Sequence, residues 1–435
     1  MKPKLVPRGL GLNPTNRPTE LMGKRFVPSC SERGGVELCP HDNHYYGTCG
    51  TIPRGTNFGS EFGWPSADML SVIDEVTPDG QDKMGEAGPS DFLQYRNQVK
   101  NPDWTVESML YPNSTLTREL PSFLGPNDVG TRAGLDRWLY LTQVLQARCV
   151  GGSILAYRQS PRVMGSLNWA INSIWHGPAW GSISHDGSWK LLHYQLRHDY
   201  APLLLSFVAP VTLPDPADPE PSSCASDEIC LHVSNHLAEP VSLRCTLDAR
   251  RYVDGGSVLQ RSFAVAVDAL AGSPAATFPL RDLLRGPEQL RSHYLSAICD
   301  RVGPSTGSHV VARPFFPSSL ANATLGPARI IIEELAAHQD GFAFNISSNT
   351  TVPYLFISST TAGTFNDNAF LLRPSQSLLL RFTVRSTDVM PEKQALSVAG
   401  FLQSLKVYTL NSKYPCVFPA ESPHGSVQYE CGYPP

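Results

Sequence analysis

Residues 213–228, LPDPADPEPSSCASDE, split the chain into two stretches of different texture, and any fold must accommodate that break. Proline and aspartate at this density leave little to bury and read as a boundary between elements. Before it, short apolar strand candidates alternate with helical stretches. After it, ICLHVSNHL sets Ile229, Leu231 and Val233 on one face, and VSLRCTL does the same with Val241, Leu243, Cys245 and Leu247. The runs FAFNISS, YLFISS and LLLRFTV follow, with Gly, Asn and Pro between them. Period-two alternation interrupted at short intervals is the pattern of β-sandwiches, and a second break at 314–327, PFFPSSLANATLGP, predicts two of them. A length of 435 residues fits several domains, at roughly 150 residues each.

Charge and composition narrow the partners. A formal net charge of -4, with no Lys/Arg block longer than a pair, speaks against nucleic acid. The most apolar run, YAPLLLSFVAPVTLP at 200–214, holds three prolines and falls short of the ~20 residues of a membrane span. The ten cysteines include no C-x-x-C pair, which favours disulfides over zinc. Sequons at Asn113, Asn322, Asn345 and Asn349 fit the same reading, a secreted or lysosomal glycoprotein. The opening MKPKLVPRGLGLNPTNRP lacks the apolar core of a signal peptide, so either the chain is cytosolic or its true start lies upstream.

Three stretches carry chemistry. GSEFGWPS, residues 59–66, sets Glu61 among small and aromatic residues; taken alone, a Glu beside a Gly reads as a loop charge. Ser66 is the expected N-cap of a helix presenting Met69, Leu70, Ile73 and Val76 on one face, which makes a β/α unit. A second helix over about 135–155 precedes MGSLNWAINSIW, whose first half reads as a strand and whose second half reads as an aromatic loop. The block 165–194 packs Trp169, Trp175, Trp180 and Trp189 among Asn, Ser and His. Flat apolar faces and polar groups together are what a sugar ring needs. Trp189 is expected in the core, and Trp169 and Trp175 in the site. In HDNHYYGT, 41–48, an extended strand puts His44 and Tyr46 on one face. His41, Asp42 and His44 would begin a metal set, but no later stretch completes it, so no metal or cofactor is expected.

FGSEFGWPS, GSLNWAINSIWHGPAW and GSWKLLHYQLRHDYAPLLLS, in that order, resemble the C-terminal half of the β-mannosidases of glycoside hydrolase family two. NPTNRP and HDNHYYGT are similar to segments upstream of that family's nucleophile, and VPYLFISSTTAGTFNDNAFLL resembles its last sandwich. The resemblance implies an α/β plus all-β chain: the C-terminal half of a (β/α)8 TIM barrel over 1–205, an immunoglobulin-like β-sandwich over 206–320, and a second β-sandwich over 321–435. It implies a retaining exo-glycosidase that removes terminal non-reducing β-D-mannose from oligosaccharides. Glu61 would be the nucleophile at the end of a barrel strand, His44 and Tyr46 would hold the carboxylate and hydroxyls, and Trp169 would floor the sugar. Trp64, Asn172 and Trp175 would complete the substrate contacts.

Two departures qualify that picture. A retaining mechanism needs a second carboxyl group ~5 Å from the nucleophile, and the Asn-Glu pair that carries it in the family has no counterpart here. The expectation is a fragment of a larger enzyme. In NWAINSIW, Asn168, Ala170 and Ser173 stand where the family has Tyr, Gln and Asp. The alternative reading is a non-catalytic carbohydrate-binding or structural glycoprotein derived from the same fold.

Overall fold

The computed structural model describes residues 42–45, 49, 52, 56–77, 83, 91–98, 115–121, 123–124, 126–128, 130–208, 224–303, 309–374, 376–385, 397–417 and 426–430. Its first part holds strands β1 (Asp42–Tyr45) and β2 (Phe58–Phe62), helices α1 (Leu70–Asp74), α2 (Asp91–Arg96), α3 (Thr115–Glu119) and α4 (Arg132–Gln159), strand β3 (Ser166–Asn168), helix α5 (Leu191–Asp199) and strand β4 (Leu203–Val208). Strands β1, β2 and β3 form a parallel sheet in that order, the arrangement that β/α crossovers impose.

Helix α4 organises this part. Thr131 caps it, its hydroxyl oxygen accepting from the Gly134 amide at 3.0 Å, and 28 residues follow without a proline. Nearly every side chain from Leu135 to Val150 is buried, polar ones included, because the helix is covered on all sides. Toward its C-terminus Tyr157 packs against Phe62 and Gly59 of the parallel sheet, and Gln143 accepts from the Leu191 amide at the start of α5. The helix also meets the C-terminal sandwich: Tyr140 donates to the Tyr354 carbonyl at 2.7 Å, Arg137 to the Thr409 carbonyl at 2.7 Å, and Tyr408 to Asp136 at 2.8 Å.

The expected helix after Glu61 is shorter than its sequence suggests. It starts at Leu70 behind an extended Met69 with no side-chain cap, and it ends at Asp74, leaving Val76 exposed. Ser66 is not its cap, because its backbone is already committed to a two-way bridge with Ala179, and its hydroxyl donates to Gln146 at 2.8 Å.

The second part contains β5 (Glu228–Asn235), β6 (Val241–Arg251), β7 (Ser257–Val267), β8 (Ala271–Pro279), helices α6 (Leu280–Leu283) and α7 (Gly286–Ser292), β9 (His293–Arg301) and β10 (His309–Val311). A three-stranded sheet β4-β5-β8 packs on a four-stranded sheet β10-β9-β6-β7. As the alternation predicts, Ile229, Leu231, Val233, Leu243, Cys245 and Leu247 fill the space between them. Cys245 and Cys299, paired across β6 and β9, are joined in a disulfide. Closing a loop of 54 residues is worth about 4 kcal/mol in the chain-entropy account. Further disulfides join Cys49 to Cys149 and Cys224 to Cys230, and Cys416 is disulfide-bonded too.

The opposite face of β5 packs on the end of α4, so His232 is only 5% exposed. Loss of hydration, and then the Arg158 guanidinium, pull its imidazole down to about 4. The native state therefore resists the proton that the unfolded chain accepts near 6.5. Stability is complete above that value and falls as pH drops from 6.5 toward 4, by roughly 3 kcal/mol in all. Urea titrations at pH 7 and pH 4 should show this loss, and His232→Leu should remove most of the difference between the two.

The third part contains β11 (Arg329–His338), β12 (Gly341–Ser348), β13 (Val352–Ser359), β14 (Gly363–Phe365), β15 (Phe370–Leu372), β16 (Leu378–Val384), α8 (Val398–Ser404), β17 (Leu405–Tyr408), β18 (Cys416–Val417) and β19 (Ser426–Glu430). Sheet β14-β16-β12-β11-β19 faces sheet β15-β13-β17-β18 across Ile330, Phe344, Leu355, Leu380 and Phe401. The runs FAFNISS, YLFISS and LLLRFTV are strands β12, β13 and β16, as expected. Among the described residues, no helix is long and apolar enough to cross a membrane.

Candidate active site

Glu61 lies on β2, the middle strand of the parallel sheet, opposite His44 of β1. Pairing slips along this strand: β1 advances two residues from Asp42 to His44 while β2 advances three, from Phe58 to Glu61. A bulge of this kind re-aims side chains. Gly59 sits under the Tyr157 ring, where a Cβ would come within 2.8 Å, so a larger residue would have to push that ring aside. Phe62 also meets that ring, with centroids 4.8 Å apart. Glu61 lies between these two contacts, half-buried, one residue before the C-terminal end of its strand.

Trp169 arrives at the same place from β3. Its amide donates to the Phe62 carbonyl at 2.7 Å, which fixes it immediately past the strand end. Its side chain is 49% exposed, and the peptide bond to Ala170 is cis. A carboxylate and an open indole thus emerge from the ends of neighbouring parallel strands, where βα loops gather functional groups in barrel-type folds.

The other expected contacts are placed differently. Asn172 is exposed in the loop after Trp169, with its side-chain amide donating to the Ser173 carbonyl at 3.3 Å. Trp175 is partly buried and spends its indole N–H on the Arg96 carbonyl at 2.7 Å, which ties it to the end of α2. Trp64 is 9% exposed and packs in the main hydrophobic core, so the structure does not bring its ring to the surface with Trp169. For His44 only the backbone is described, and Tyr46 lies outside the described residues. Trp189 packs against the core through His193 and Tyr194, as expected.

The support beneath the site is absent from the sequence reading. Gln143 and Gln146, one turn apart on α4, donate to the carbonyls of Ala67 and Trp64 at 2.9 and 2.8 Å. Gln143 also accepts from the Leu191 amide, and Gln146 reaches the Trp180 carbonyl. Two amide side chains therefore pin the loop after Glu61 to the loop after Trp169. Deeper still, Lys190 and Asp68 face each other at 3.3 Å, 1% and 0% exposed. The ammonium lies outside hydrogen-bonding geometry, so the contact is chiefly coulombic, while Asp68 accepts from the Gly177 amide at 3.1 Å. The signal for the glutamines was their i,i+3 spacing in an otherwise apolar helix.

Comparison with known proteins gives this geometry a context. A mannosidase Ig-fold domain profile matches residues 325–413. The β-mannosidase of Bos taurus is 26% identical over 366 residues, covering 80% of this chain and 38% of that protein. β-Mannosidase A of Aspergillus fumigatus is 36% identical over 180 residues, 38% of this chain and 17% of that one. The crystal structure of the β-D-mannosidase from Dictyoglomus thermophilum superposes with a TM-score of 0.63 at 14% identity, over 87% of this chain and 42% of that one. The exo-chitosanase of Amycolatopsis orientalis follows at 0.56 and 14%, over 91% and 46%.

The chain is similar to β-mannosidases over most of its length.

It spans 38% of the length of the bovine and goat relatives it matches. Ser173, where the resemblance would place an Asp, is buried, and its hydroxyl has no hydrogen-bond partner. Of the sequons, Asn322 and Asn349 are exposed, the latter between β12 and β13, whereas Asn345 sits within β12 with its amide on Glu334 at 2.6 Å. Asn113 lies outside the described residues. Among the described residues, one group of potential metal ligands appears, Cys224, Glu228 and Cys230, but its two sulfurs are bonded to each other.

Proposed function

We propose that this chain is the C-terminal portion of a retaining exo-β-mannosidase, with Glu61 as the nucleophile that forms the glycosyl-enzyme. The observation that carries the reading is the emergence of Glu61 and the open face of Trp169 from the ends of adjacent parallel strands. The carboxylate would attack the anomeric carbon while the indole supports the C–H face of the sugar. Asn172, and by resemblance His44 and Tyr46, would address the hydroxyls, and Trp175 and Trp64 would act from behind as walls. The substrate would be an oligosaccharide ending in β-linked mannose, in keeping with the names of the relatives.

The same reading makes residues 1–205 half of a (β/α)8 barrel, 206–320 one sandwich and 321–435 another, with β4 reaching across the first boundary to pair with β5. Support comes from β3, an edge strand among the described residues. Leu167, Ile171 and Ile174, on and just after that strand, expose most of their side chains, an apolar edge of the kind neighbouring barrel strands cover. The general acid/base carboxyl would come from those missing strands. The disulfides favour a secretory or lysosomal route. Buried Ser173 favours the alternative of a binding module without turnover, since the position no longer offers a carboxylate.

Covalent trapping distinguishes the two. A 2-deoxy-2-fluoro-β-mannosyl fluoride slows hydrolysis of the glycosyl-enzyme, so mass spectrometry should find one fluoromannosyl group on Glu61. Absence of label from Glu61, in this chain and in the longer protein alike, would sink the nucleophile assignment.

A further inference from the structure

Strand alternation that sends Leu243, Cys245, Leu247 and Ala249 into the core of the first sandwich turns Thr246, Asp248 and Arg250 of β6 outward. Ser296 on β9 and Gln260 on β7 lie beside Asp248 in register. This face is partly roofed. Helix α5, the segment following β10, and Asp367, Phe370, Arg373 and Gln376 of the second sandwich line, with this face, a partly open cleft of about 570 Å³. That is the size of a small-molecule site, and neither Glu61 nor Trp169 lines it.

The charges on its walls do not cancel. Asp248 is paired with Arg250 and accepts from Ser257 at 2.6 Å. Arg313 meets Asp199 at 3.3 Å, and Asp367 is flanked by Arg197 and His198, each at 3.5 Å. Arg373 has no such counterpart among the described residues: its Nε donates to Gln376 at 3.4 Å, and its two terminal nitrogens meet no carboxylate. Arg250 Nε is buried without a hydrogen-bond partner. Around these cations stand the hydroxyls of Thr246 and Ser296 and the rings of Phe316 and Phe370. A planar guanidinium matches a carboxylate or phosphate, rings match the C–H face of a sugar, and hydroxyls match its own.

We propose that this cleft is a second ligand site, separate from the one at Glu61, which takes a sugar bearing a single anionic group, a uronate or a sugar phosphate. Arg373 holds the anion, and the outer face of β6 and β9 reads the hydroxyls. Calorimetric titration of the purified chain with glucuronate, mannose 6-phosphate, mannose and inorganic phosphate tests it. Both sugar acids should bind, and Arg373→Gln should weaken them roughly 10-fold or more while leaving any response to mannose unchanged. Thr246→Trp, which fills the cleft without touching Arg373, should also abolish binding, and unchanged melting of both variants shows that the fold is intact. Failure of both sugar acids to bind, or affinities unchanged by Arg373→Gln, would overturn the proposal. Inorganic phosphate binding as tightly as the sugar phosphate would overturn it as well, since the site would then hold only an anion. None of these outcomes bears on labelling at Glu61.

Discussion

Replacing Glu61 by Gln should lower turnover of an aryl β-mannoside by roughly 10⁴-fold or more in the protein that carries the whole site, the scale on which removal of a covalent nucleophile acts. The change is isosteric and the side chain is only half-buried, so the fold should tolerate it. A purely structural role would predict a different pattern. With Glu61→Ala, the space left by the carboxylate admits a small external anion, and azide should restore bond cleavage while giving the α-mannosyl azide, the inverted product. A carboxylate that merely braced a loop would not be replaced by azide. Turnover within about 10-fold of the parent in Glu61→Gln would end the assignment.

The second large effect is on stability. Lys190→Met leaves Asp68 buried with the Gly177 amide at 3.1 Å and the His176 ring at 4.0 Å as its remaining polar neighbours. Removal of one partner of a buried pair costs about 3 to 5 kcal/mol, far more than the pair itself contributes, because the loss is the desolvation of the survivor. Guanidinium titration should register that drop. The double variant Asp68→Leu with Lys190→Met should recover part of it but not all, since the Gly177 N–H is then unpaired, at about 1 to 3 kcal/mol. If the single and double variants were equally stable, the contact would be contributing packing and no charge pairing.

What the sequence disclosed depended on whether the signal was local. The sandwich strands were legible because burial on one face of a strand is written into every second residue, as in Val241, Leu243, Cys245 and Leu247. Helix α4 was legible from its long apolar content, though not that its polar residues are equally buried. Ser66 misled because its backbone is claimed by Ala179, a partner 113 residues away that no local pattern announces. Trp64 and Trp169 look alike in sequence; only the β2 bulge and the β3 strand end decide that one ring faces the core and the other faces open space. No sequence pattern pairs Asp68 with Lys190, since each finds the other through tertiary structure alone.

The contacts of α4 with the last sandwich bear on how this architecture can evolve. Asp136, Arg137 and Tyr140 reach Tyr408 and the backbone at Thr409 and Tyr354, so the C-terminal module covers one side of the helix that also packs on the strand carrying Glu61. It is not a detachable appendage. Recombination that exchanged this module between relatives would have to carry the matching face of α4 with it, and a premature stop codon before position 409 would strip α4 of partners that lie more than 200 residues further along the chain.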